Sequence, residues 1–292
     1  MIGSVRIAIV GFGLIGGSIA RALRRREAAP TMGERIELVA WSRSPVGPST
    51  ALADGILDRA AGTLSEALHG AELIVLAAPP LACLDLLAEL AGPLRSEVAT
   101  GATVSDVAST KRAIVDRADQ AGLRFVGGHP FAGRDAVGYA AAEADLFVDR
   151  PWVICPGRVA EAGDVDRVER LALACGARPV PLDPGTHDAA AATISHVPLV
   201  VSAALVEAMT GRPDWPSASS LAAGGWRDMT RLARGDPDMA AGIGATNAAE
   251  LAAGVRTVRD TLDAWLTQLD TPEPDVEALR ARFEAARARL GS

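Results

Sequence analysis

Hydrophobic and polar positions alternate between two patterns along the first half of the chain. Short runs of β-branched and aliphatic residues, such as VRIAIVGFG (5–13) and RIELVAWSR (35–43), predict buried strands. Stretches such as GGSIARALRRR between them have the alanine and leucine spacing of helices. Three more strand-like runs follow at 71–80, 102–109 and 123–130. Buried runs separated by helices predict a doubly wound, largely parallel sheet.

The second part of the chain has a different pattern. RPWVICP (150–156) and ARPVPLD (177–183) predict two further strands at one edge of the sheet, and every later segment has helical spacing. We therefore expect an α/β Rossmann-type dinucleotide-binding domain over residues 1–182 and an all-helical domain for substrate binding and dimerisation over residues 183–292. Alanine-rich apolar faces are difficult to bury in so small a helical unit, so a homodimer is expected.

Composition narrows the classes of function. The 292 residues are 49% hydrophobic and 22% charged, with a formal net charge of −7. A negative charge argues against nucleic-acid binding, which needs a basic face, but local arginines suit a small anionic substrate. Three scattered cysteines show no metal-ligand spacing, so we expect no metal and a reduced, cytoplasmic protein. We expect no apolar stretch to reach the roughly 18 residues of a membrane span, and hence no membrane partner.

A glycine motif directly follows the first predicted strand. GFGLIGGS places Gly11, Gly13 and Gly16 in G-x-G-x-x-G spacing at the start of a helix, with Leu14 and Ile15 between the last two. In this context the first glycine permits a tight turn and the second a close approach to a pyrophosphate. The third lets helix and strand pack closely. The segment predicts a dinucleotide site, although a glycine-rich turn that binds no ligand can have the same sequence pattern.

The end of the second strand bears on the choice of cofactor. An NAD site usually has an acidic residue there for the ribose hydroxyl, whereas this strand ends in Ser42 and Arg43. Serine and arginine suit a 2′-phosphate, so NADP is favoured over NAD, unless Arg43 is an ordinary surface side chain. Ala78 and Pro79, after the third long strand, are expected beneath the ribose and nicotinamide.

The chain has four histidines in different settings. His69 is expected at a helix end and His187 at a helix start, both without a catalytic role. His129 ends a strand at the carboxyl edge of the sheet, where open α/β folds bind ligands, and the glycines of the stretch GGHPFAGRDAVG suggest close passage of the chain past cofactor and substrate. His196 lies in an apolar helix, as a core residue or, if that helix faces the cleft, as a partner of His129.

Four motifs resemble, in the same order, those of the prephenate/arogenate dehydrogenase family, the NAD(P)-dependent enzymes of tyrosine biosynthesis. They are SDVASTK (105–111), GGHPFAGRDAVG (127–138), ISHVPLV (194–200) and GGWRDMTRLARGDP (224–237). The likeness runs from the glycine motif to about Asn247. It implies an N-terminal Rossmann domain, a helical domain that dimerises, and oxidative decarboxylation of a cyclohexadienol.

The resemblance also implies roles for individual residues. His129 matches the histidine that takes the ring hydroxyl proton, and Ser109 matches a serine that orients it, besides a second role as the cap of a helix starting at Thr110. Arg231 matches the arginine that binds the substrate's side-chain carboxylate, which favours prephenate over arogenate. The remaining substrate-binding positions implied are His196, Asp135, Gly225 and Trp226, the last two in a turn that brings Arg231 to the site.

Other interpretations remain open at this point. Arogenate, or both cyclohexadienyl substrates, fits the same motifs. Another Rossmann-plus-helical dehydrogenase, acting on a β-hydroxyacid or an imine, would be expected to show a catalytic lysine in the helical domain, but the single lysine is Lys111 in the first domain. A non-catalytic nucleotide-binding protein would bind cofactor without turnover, and the set of His129, Ser109 and Arg231 argues against it.

Overall fold

The computed structural model describes residues 4–27, 35–134 and 136–291. Eight strands in this part of the chain form one sheet: β1 (Ser4–Val10), β2 (Arg35–Trp41), β3 (Arg59–Ala60), β4 (Leu73–Leu76), β5 (Thr103–Asp106), β6 (Phe125–Pro130), β7 (Pro151–Pro156) and β8 (Arg178–Pro181). Their order across the sheet is β3-β2-β1-β4-β5-β6-β7-β8. The chain therefore starts near the centre and winds outward in both directions.

The sheet is parallel except at one junction. β1 pairs with β2 and β4, β4 with β5, and β5 with β6, all parallel, whereas β7 runs antiparallel to β6 and parallel to β8. The predicted doubly wound, largely parallel sheet with two added edge strands is thus confirmed. The two-residue strand β3 was not predicted, because so short a run has no alternation to detect.

Helices in the described residues connect the strands and then form the second half of the chain. In the first half they are α1 (Leu14–Glu27), α2 (Val46–Ala53), α3 (Leu64–Leu68), α4 (Pro80–Ala91), α5 (Arg112–Gln120) and α6 (Ala162–Ala174). In the second half they are α7 (Pro184–Ala191), α8 (Val197–Thr210), α9 (Trp215–Ser219), α10 (Gly224–Thr230), α11 (Pro237–Thr246), α12 (Ala248–Leu269) and α13 (Val276–Arg289). The predicted helical second part is confirmed.

The hydrophobic core lies on the two faces of the sheet. Ile7 and Ile9 of β1 belong to one buried cluster, and Ala8 and Val10 belong to the other. This division follows from the strand period of two, which sends successive side chains to opposite faces. Because both faces are covered, β1 reads as a continuous apolar run, as buried parallel strands do.

The helix that opens the second half corrects one expectation. Residues 184–210, formed by α7, a π-helical turn at Ala192–His196 and α8, are long and apolar enough to cross a membrane by length and composition. The expectation that no stretch reaches that length was wrong, because many alanines outweigh a few interspersed polar residues. Three of those polar residues, His187, Asp188 and His196, are buried, two of them in hydrogen bonds to the first half of the chain.

Candidate active site

Gly11 and Gly13 of the motif occupy the turn between β1 and α1, and Gly16 lies in the first turn of α1. A Cβ atom on Gly11, which has φ +93°, would lie 2.3 Å from the Ala77 carbonyl oxygen, and one on Gly16 would lie 2.4 Å from the Gly11 carbonyl oxygen. Gly11 and Gly16 are therefore required by the protein's own backbone. A Cβ on Gly13 would meet no protein atom within 4 Å. A requirement for glycine at position 13 is explained by a ligand that approaches the backbone there.

This turn lines a cleft of about 310 Å³ at the carboxyl ends of β1, β2 and β4. Ser42 and Arg43 line it from the end of β2, and Ala78 and Pro79 from the end of β4. α4 adds two acidic side chains, Asp85 and Glu89, to the same cleft. Backbone N–H groups at a helix start, beside a glycine that leaves open space, fit the pyrophosphate of a dinucleotide.

A second, larger cavity of about 720 Å³ adjoins the cleft. The two share Gly13 and the segment 77–79, so a ligand lying in the cleft reaches the cavity without leaving the protein surface. The polar side chains that line the cavity are Ser109, His129, Arg134, Arg231, Arg234 and Asp236, and Leu14 and Ile15 line it from the start of α1. Three arginines around a single cavity favour an anionic ligand.

His129 occupies the position where β6 reaches the edge of the sheet. Its ring is 9% exposed, and Nδ1 lies 2.8 Å from Nε2 of His187. Nε2 is consequently the ring nitrogen left to face a ligand in the cavity. Burial, together with His187, Lys111 and His196 nearby, holds the pKa of His129 well below the ordinary histidine value. The imidazole is therefore neutral and ready to accept a proton near pH 7.

His187 and Asp188 come from the first turns of α7. His187 Nδ1 lies 2.8 Å from Asp188 Oδ1, and the Asp188 carboxylate accepts hydrogen bonds from the backbone N–H groups of Lys111 (2.7 Å) and Arg112 (3.0 Å). Asp188 thus caps α5 from another part of the chain. The expected capping of that helix by Ser109 was wrong, since α5 begins at Arg112 and Ser109 lies too far before it.

Asp106 and Lys111 form a fully buried ion pair beneath the site. The Asp106 carboxylate also accepts hydrogen bonds from the backbone of Ala108 and Gly128. A Cβ on Gly127 would lie 3.1 Å from the Lys111 side chain, and one on Gly128 would lie 2.6 Å from the Asp106 carbonyl oxygen. The two glycines directly before His129 therefore pack against this pair and do not line the cavity, so the expected passage past cofactor and substrate is wrong for them. Gly133 and Gly138 of the same motif do line the cavity.

His196 is buried behind the cavity and does not line it. Asn247 donates a hydrogen bond to its Nδ1 at 3.2 Å and another to the Asp188 carbonyl at 2.9 Å. Burial lowers the pKa of His196, while Asp188 and the backbone of Ser109 favour its charged form. The structure therefore places His196 next to the Ser109 backbone, and the histidine that touches His129 is His187.

The other expected substrate residues lie in different places. Arg231 lines the cavity at the end of α10, where it also makes contacts of its own. Gly225 and Trp226 lie in the first turn of α10 rather than in a loop, and Trp226 packs against Trp215 with a ring separation of 5.0 Å, around a separate cavity. Asp135 lies outside the described residues. In the described part of the chain, no group of three potential ligands is arranged for a metal ion.

Sequence reasoning missed His187, Asp188 and Asn247 as members of the site. The adjacent pair of His187 and Asp188 looked like ordinary polar residues of a helix start. What distinguishes the two residues is that both are almost completely buried, and their burial cannot be read from a single sequence. Asn247 lies 59 residues from Asp188, and nothing local marks their contact.

The doubly wound sheet, the glycine turn and the adjoining cavity with its buried histidine define a dinucleotide-dependent oxidoreductase. A model of the prephenate dehydrogenase nucleotide-binding domain matches residues 19–180, and one of the prephenate dehydrogenase dimerization domain matches residues 183–284. The chain belongs to the prephenate dehydrogenase family. The predicted family resemblance is confirmed, and the cofactor is a nicotinamide dinucleotide.

Three similar proteins show how far the likeness extends. Prephenate dehydrogenase of Bacillus subtilis is 32% identical over 290 residues, which cover 96% of this chain and 74% of the relative. A crystal structure of Synechocystis arogenate dehydrogenase is 32% identical with a TM-score of 0.77, covering 98% of this chain and all of that one. Aquifex aeolicus prephenate dehydrogenase, solved with hydroxyphenyl propionate and NAD+, is 25% identical with a TM-score of 0.84, covering 98% and 97%.

Proposed function

We propose that the chain oxidatively decarboxylates prephenate to 4-hydroxyphenylpyruvate, with His129 as the base. The observation that carries the assignment of the site is that His129 shares one cavity with Ser109 and Arg231, directly beside the dinucleotide cleft. The arrangement supplies a proton acceptor, a cation for a carboxylate and a place for a hydride acceptor within one continuous space.

The reaction needs a base that is neutral before the chemical step. A nicotinamide cofactor held in the cleft by the glycine turn and the segment 77–79 would supply the hydride acceptor for the ring carbon that carries the hydroxyl group. His129 Nε2 takes the hydroxyl proton as that carbon becomes a carbonyl. The bond to the ring carboxylate then breaks, its electron pair makes the ring aromatic, carbon dioxide leaves and the phenolic oxygen regains a proton. Ser109, lining the same cavity, is assigned to hydrogen-bond the reacting hydroxyl beside His129.

Prephenate is proposed over arogenate because the cavity is lined by three guanidinium groups. Prephenate has two carboxylates and no amino group, whereas the side chain of arogenate adds an ammonium that these cations disfavour. Arg231 is assigned to the side-chain carboxylate. The solved arogenate dehydrogenase at 32% identity keeps arogenate as the second candidate substrate.

The direct test is cofactor reduction, followed by its absorbance, with prephenate or arogenate and NAD or NADP in all four combinations. We expect the highest kcat/KM with prephenate. A higher kcat/KM with arogenate would reassign the substrate and leave the reaction class intact. No reduction with either ring substrate would overturn the proposed function.

NADP is proposed as the preferred cofactor because Ser42 and Arg43 line the cleft at the end of β2 and can bind a 2′-phosphate. We expect Arg43→Asp to shift the ratio of kcat/KM values toward NAD by about tenfold or more, since an acid repels the phosphate. Arg59→Asp, at an exposed strand residue outside the cleft, is the matched control. A native preference for NAD, or no response to Arg43→Asp, would contradict this assignment.

We also propose a cytoplasmic homodimer, divided into a dinucleotide-binding domain at 1–182 and a helical domain at 183–292. Leu262, Leu266 and Leu269 lie on one face of α12 and are 51–60% exposed in the single protomer, an apolar stripe that a second copy would cover. All three cysteines are free and buried, as suits a reducing compartment. Sedimentation at twice the 30.1 kDa chain mass would support the dimer, and a monomer would contradict it.

A further inference from the structure

Three side chains form a hydrogen-bonded row that ends at the cavity. Asp188 Oδ1 lies 2.8 Å from His187 Nδ1, and His187 Nε2 lies 2.8 Å from His129 Nδ1. His187 is fully buried and Asp188 is 1% exposed, so water does not compete for either bond. The row joins α7 of the helical half to β6 of the α/β half.

The Asp188 end of the row is fixed as an acceptor. Burial alone would raise the pKa of Asp188, but hydrogen bonds from His187 and from the backbone of Lys111 and Arg112 hold it below its usual range. An ionised carboxylate has no proton to donate. The proton between Asp188 and His187 therefore belongs to His187 Nδ1.

The position of that proton determines the next one. A neutral imidazole has one N–H and one acceptor nitrogen, so His187 with its proton on Nδ1 presents Nε2 as an acceptor. His129 must then donate from Nδ1. This leaves the lone pair of His129 on Nε2, which is the nitrogen that a proton-accepting base needs toward the cavity.

We propose that His187 and Asp188 are positioning residues that set the ring orientation and the tautomer of His129 through these two hydrogen bonds. The proposal rests on the proposed role of His129 as the base. It adds a dependence on domain docking, because the row and the backbone bonds of Asp188 exist only when the helical half contacts the α/β half. Asn247 supports that contact by donating to the Asp188 carbonyl oxygen.

The alternative is that the pair serves packing alone. The charged and titratable groups around His129 are His187, His196 and Lys111 with its partner Asp106, and the cavity beside it is lined by Asp236 and by the arginines 134, 231 and 234. None of these other groups is hydrogen-bonded to His129 in the described residues, so only His187 selects between its two neutral tautomers. A packing role and a tautomer-setting role therefore make different predictions for substitutions at His187.

The test compares His187→Gln with His187→Leu. Gln offers a carbonyl oxygen that accepts from His129 Nδ1, whereas Leu fills the space without an acceptor. We expect the Leu variant to lose at least about tenfold in kcat, as a base in the wrong tautomer does, and the Gln variant to recover most of that loss. His69→Gln, at a side chain 77% exposed and outside the row, is the matched control and should retain wild-type kcat.

Long-range ¹H–¹⁵N NMR spectra read the tautomer directly, and four histidines make assignment by substitution practical. We expect a pyridine-type signal for Nε2 of His129 in the wild type and in His187→Gln, and mixed tautomers in His187→Leu. Far-ultraviolet circular dichroism and cofactor affinity report whether each variant is folded. Should His187→Leu fail to fold, the wild-type tautomer and the kcat of His187→Gln decide the question.

The outcomes separate this proposal from the proposed function. A wild-type protein inactive on both ring substrates overturns the function, while the tautomer measurement in the free protein still tests the row. An active wild type with the His129 proton on Nε2 overturns the positioning role. A folded His187→Leu variant with unchanged kcat and an unchanged His129 signal overturns it as well.

Discussion

The dinucleotide cleft and the histidine row are neighbouring parts of one site, but they are assembled in different ways. The cleft is built by the α/β half alone, from the turn after β1, the ends of β2 and β4, and α4, and Gly11 packs there against the backbone of Ala77. The row joins His129 to His187 across 58 residues of sequence, and Asn247 joins Asp188 across 59. One region belongs to a single half of the chain, and the other joins the two halves through buried polar side chains.

Cofactor binding and proton abstraction therefore depend on different parts of the fold. The cleft needs only the α/β half to be folded, because all of its lining residues lie there. The row also needs the helical half docked against the sheet, because Asp188 is held by the backbone of Lys111 and Arg112. Substitutions in the two regions should therefore change different measured quantities, and the following variants are chosen to test that separation.

The largest effect is expected from His129→Asn. Asparagine keeps a polar side chain of similar size but does not accept a proton, so kcat should fall by about 10²-fold or more. The Kd for cofactor should remain within about twofold, because His129 lies outside the dinucleotide cleft. Single-turnover kinetics and fluorescence titration with reduced cofactor measure the two quantities. An unchanged kcat would place the base elsewhere in the cavity.

Arg231→Ala should have the next largest effect. Loss of a charge-assisted pair with the side-chain carboxylate costs about 1.5–3 kcal/mol, so the KM for prephenate should rise by roughly 10- to 100-fold. Arg227→Ala is a suitable control, since its exposed side chain lies on the same helix and does not line the cavity. A retained KM would assign the carboxylate to Arg134 or Arg234, which line the same cavity.

Alanine substitutions at Gly13 and Gly16 distinguish a glycine that leaves room for a ligand from one that the fold requires. Gly16→Ala adds a methyl group against the Gly11 carbonyl and should lower the free energy of unfolding by about 1–3 kcal/mol. Gly13→Ala adds the same group where no protein atom lies within 4 Å, so the fold should keep its stability. Its effect should instead be a rise of about tenfold in the Kd for cofactor. Urea unfolding and cofactor titration measure both variants.

The opposite pattern would remove the ligand-based explanation of Gly13. If Gly13→Ala unfolds the protein and leaves cofactor affinity intact, the glycine is required by the fold. If both variants lose stability equally, the turn has no specific open face for a dinucleotide.

The two regions also differ in what could be predicted from sequence. The largely parallel sheet, the glycine turn and the position of His129 follow from buried runs, their spacing and the rule that ligands bind at the carboxyl edge of such sheets. The end of the second predicted strand indicated Ser42 and Arg43 as cofactor-binding residues, and both line the cleft in the structure. These inferences concern residues that each lie at the end of a strand whose own apolar run predicts it, and the carboxyl ends of parallel strands meet at one edge of the sheet.

The histidine row was not predicted because its contacts depend on how two parts of the chain dock. His187 was assigned to a helix start, which is correct as local structure, yet its burial and its bond to His129 arise only from packing. His196 was expected at the substrate, but its position also depends on how the two parts of the chain dock, and this packing places its side chain behind Ser109. Of the glycines in GGHPFAGRDAVG, Gly133 and Gly138 line the cavity as expected, whereas Gly127 and Gly128 pack against Lys111 and Asp106 beneath it.

The smallest expected effect is a pH dependence of the free energy of unfolding. It comes from buried histidines where the helical half contacts the α/β half, and not from the dinucleotide cleft. His129 and His196 both have lowered pKa values in the folded protein, mainly because burial disfavours their charged forms. Above about pH 6.5 both are neutral in the folded and unfolded states and contribute nothing. Below it the unfolded chain takes up protons that the folded chain does not, so the folded state loses stability as the pH falls.

Each fully effective histidine contributes up to about 1.4 kcal/mol per pH unit in this window. Urea unfolding of the wild type at about pH 7.5 and pH 5.5 should therefore show a lower free energy of unfolding at the acidic value. His129→Asn removes one of the two histidines, so its free energy of unfolding should differ less between the two pH values than that of the wild type. Comparing the two differences cancels the contribution of carboxylates elsewhere in the protein. His69→Gln, at an exposed position, should leave the difference unchanged. An equal acid sensitivity in wild type and His129→Asn would mean that His129 is protonated as readily in the folded protein as in the unfolded chain, which would contradict the lowered pKa of the buried ring.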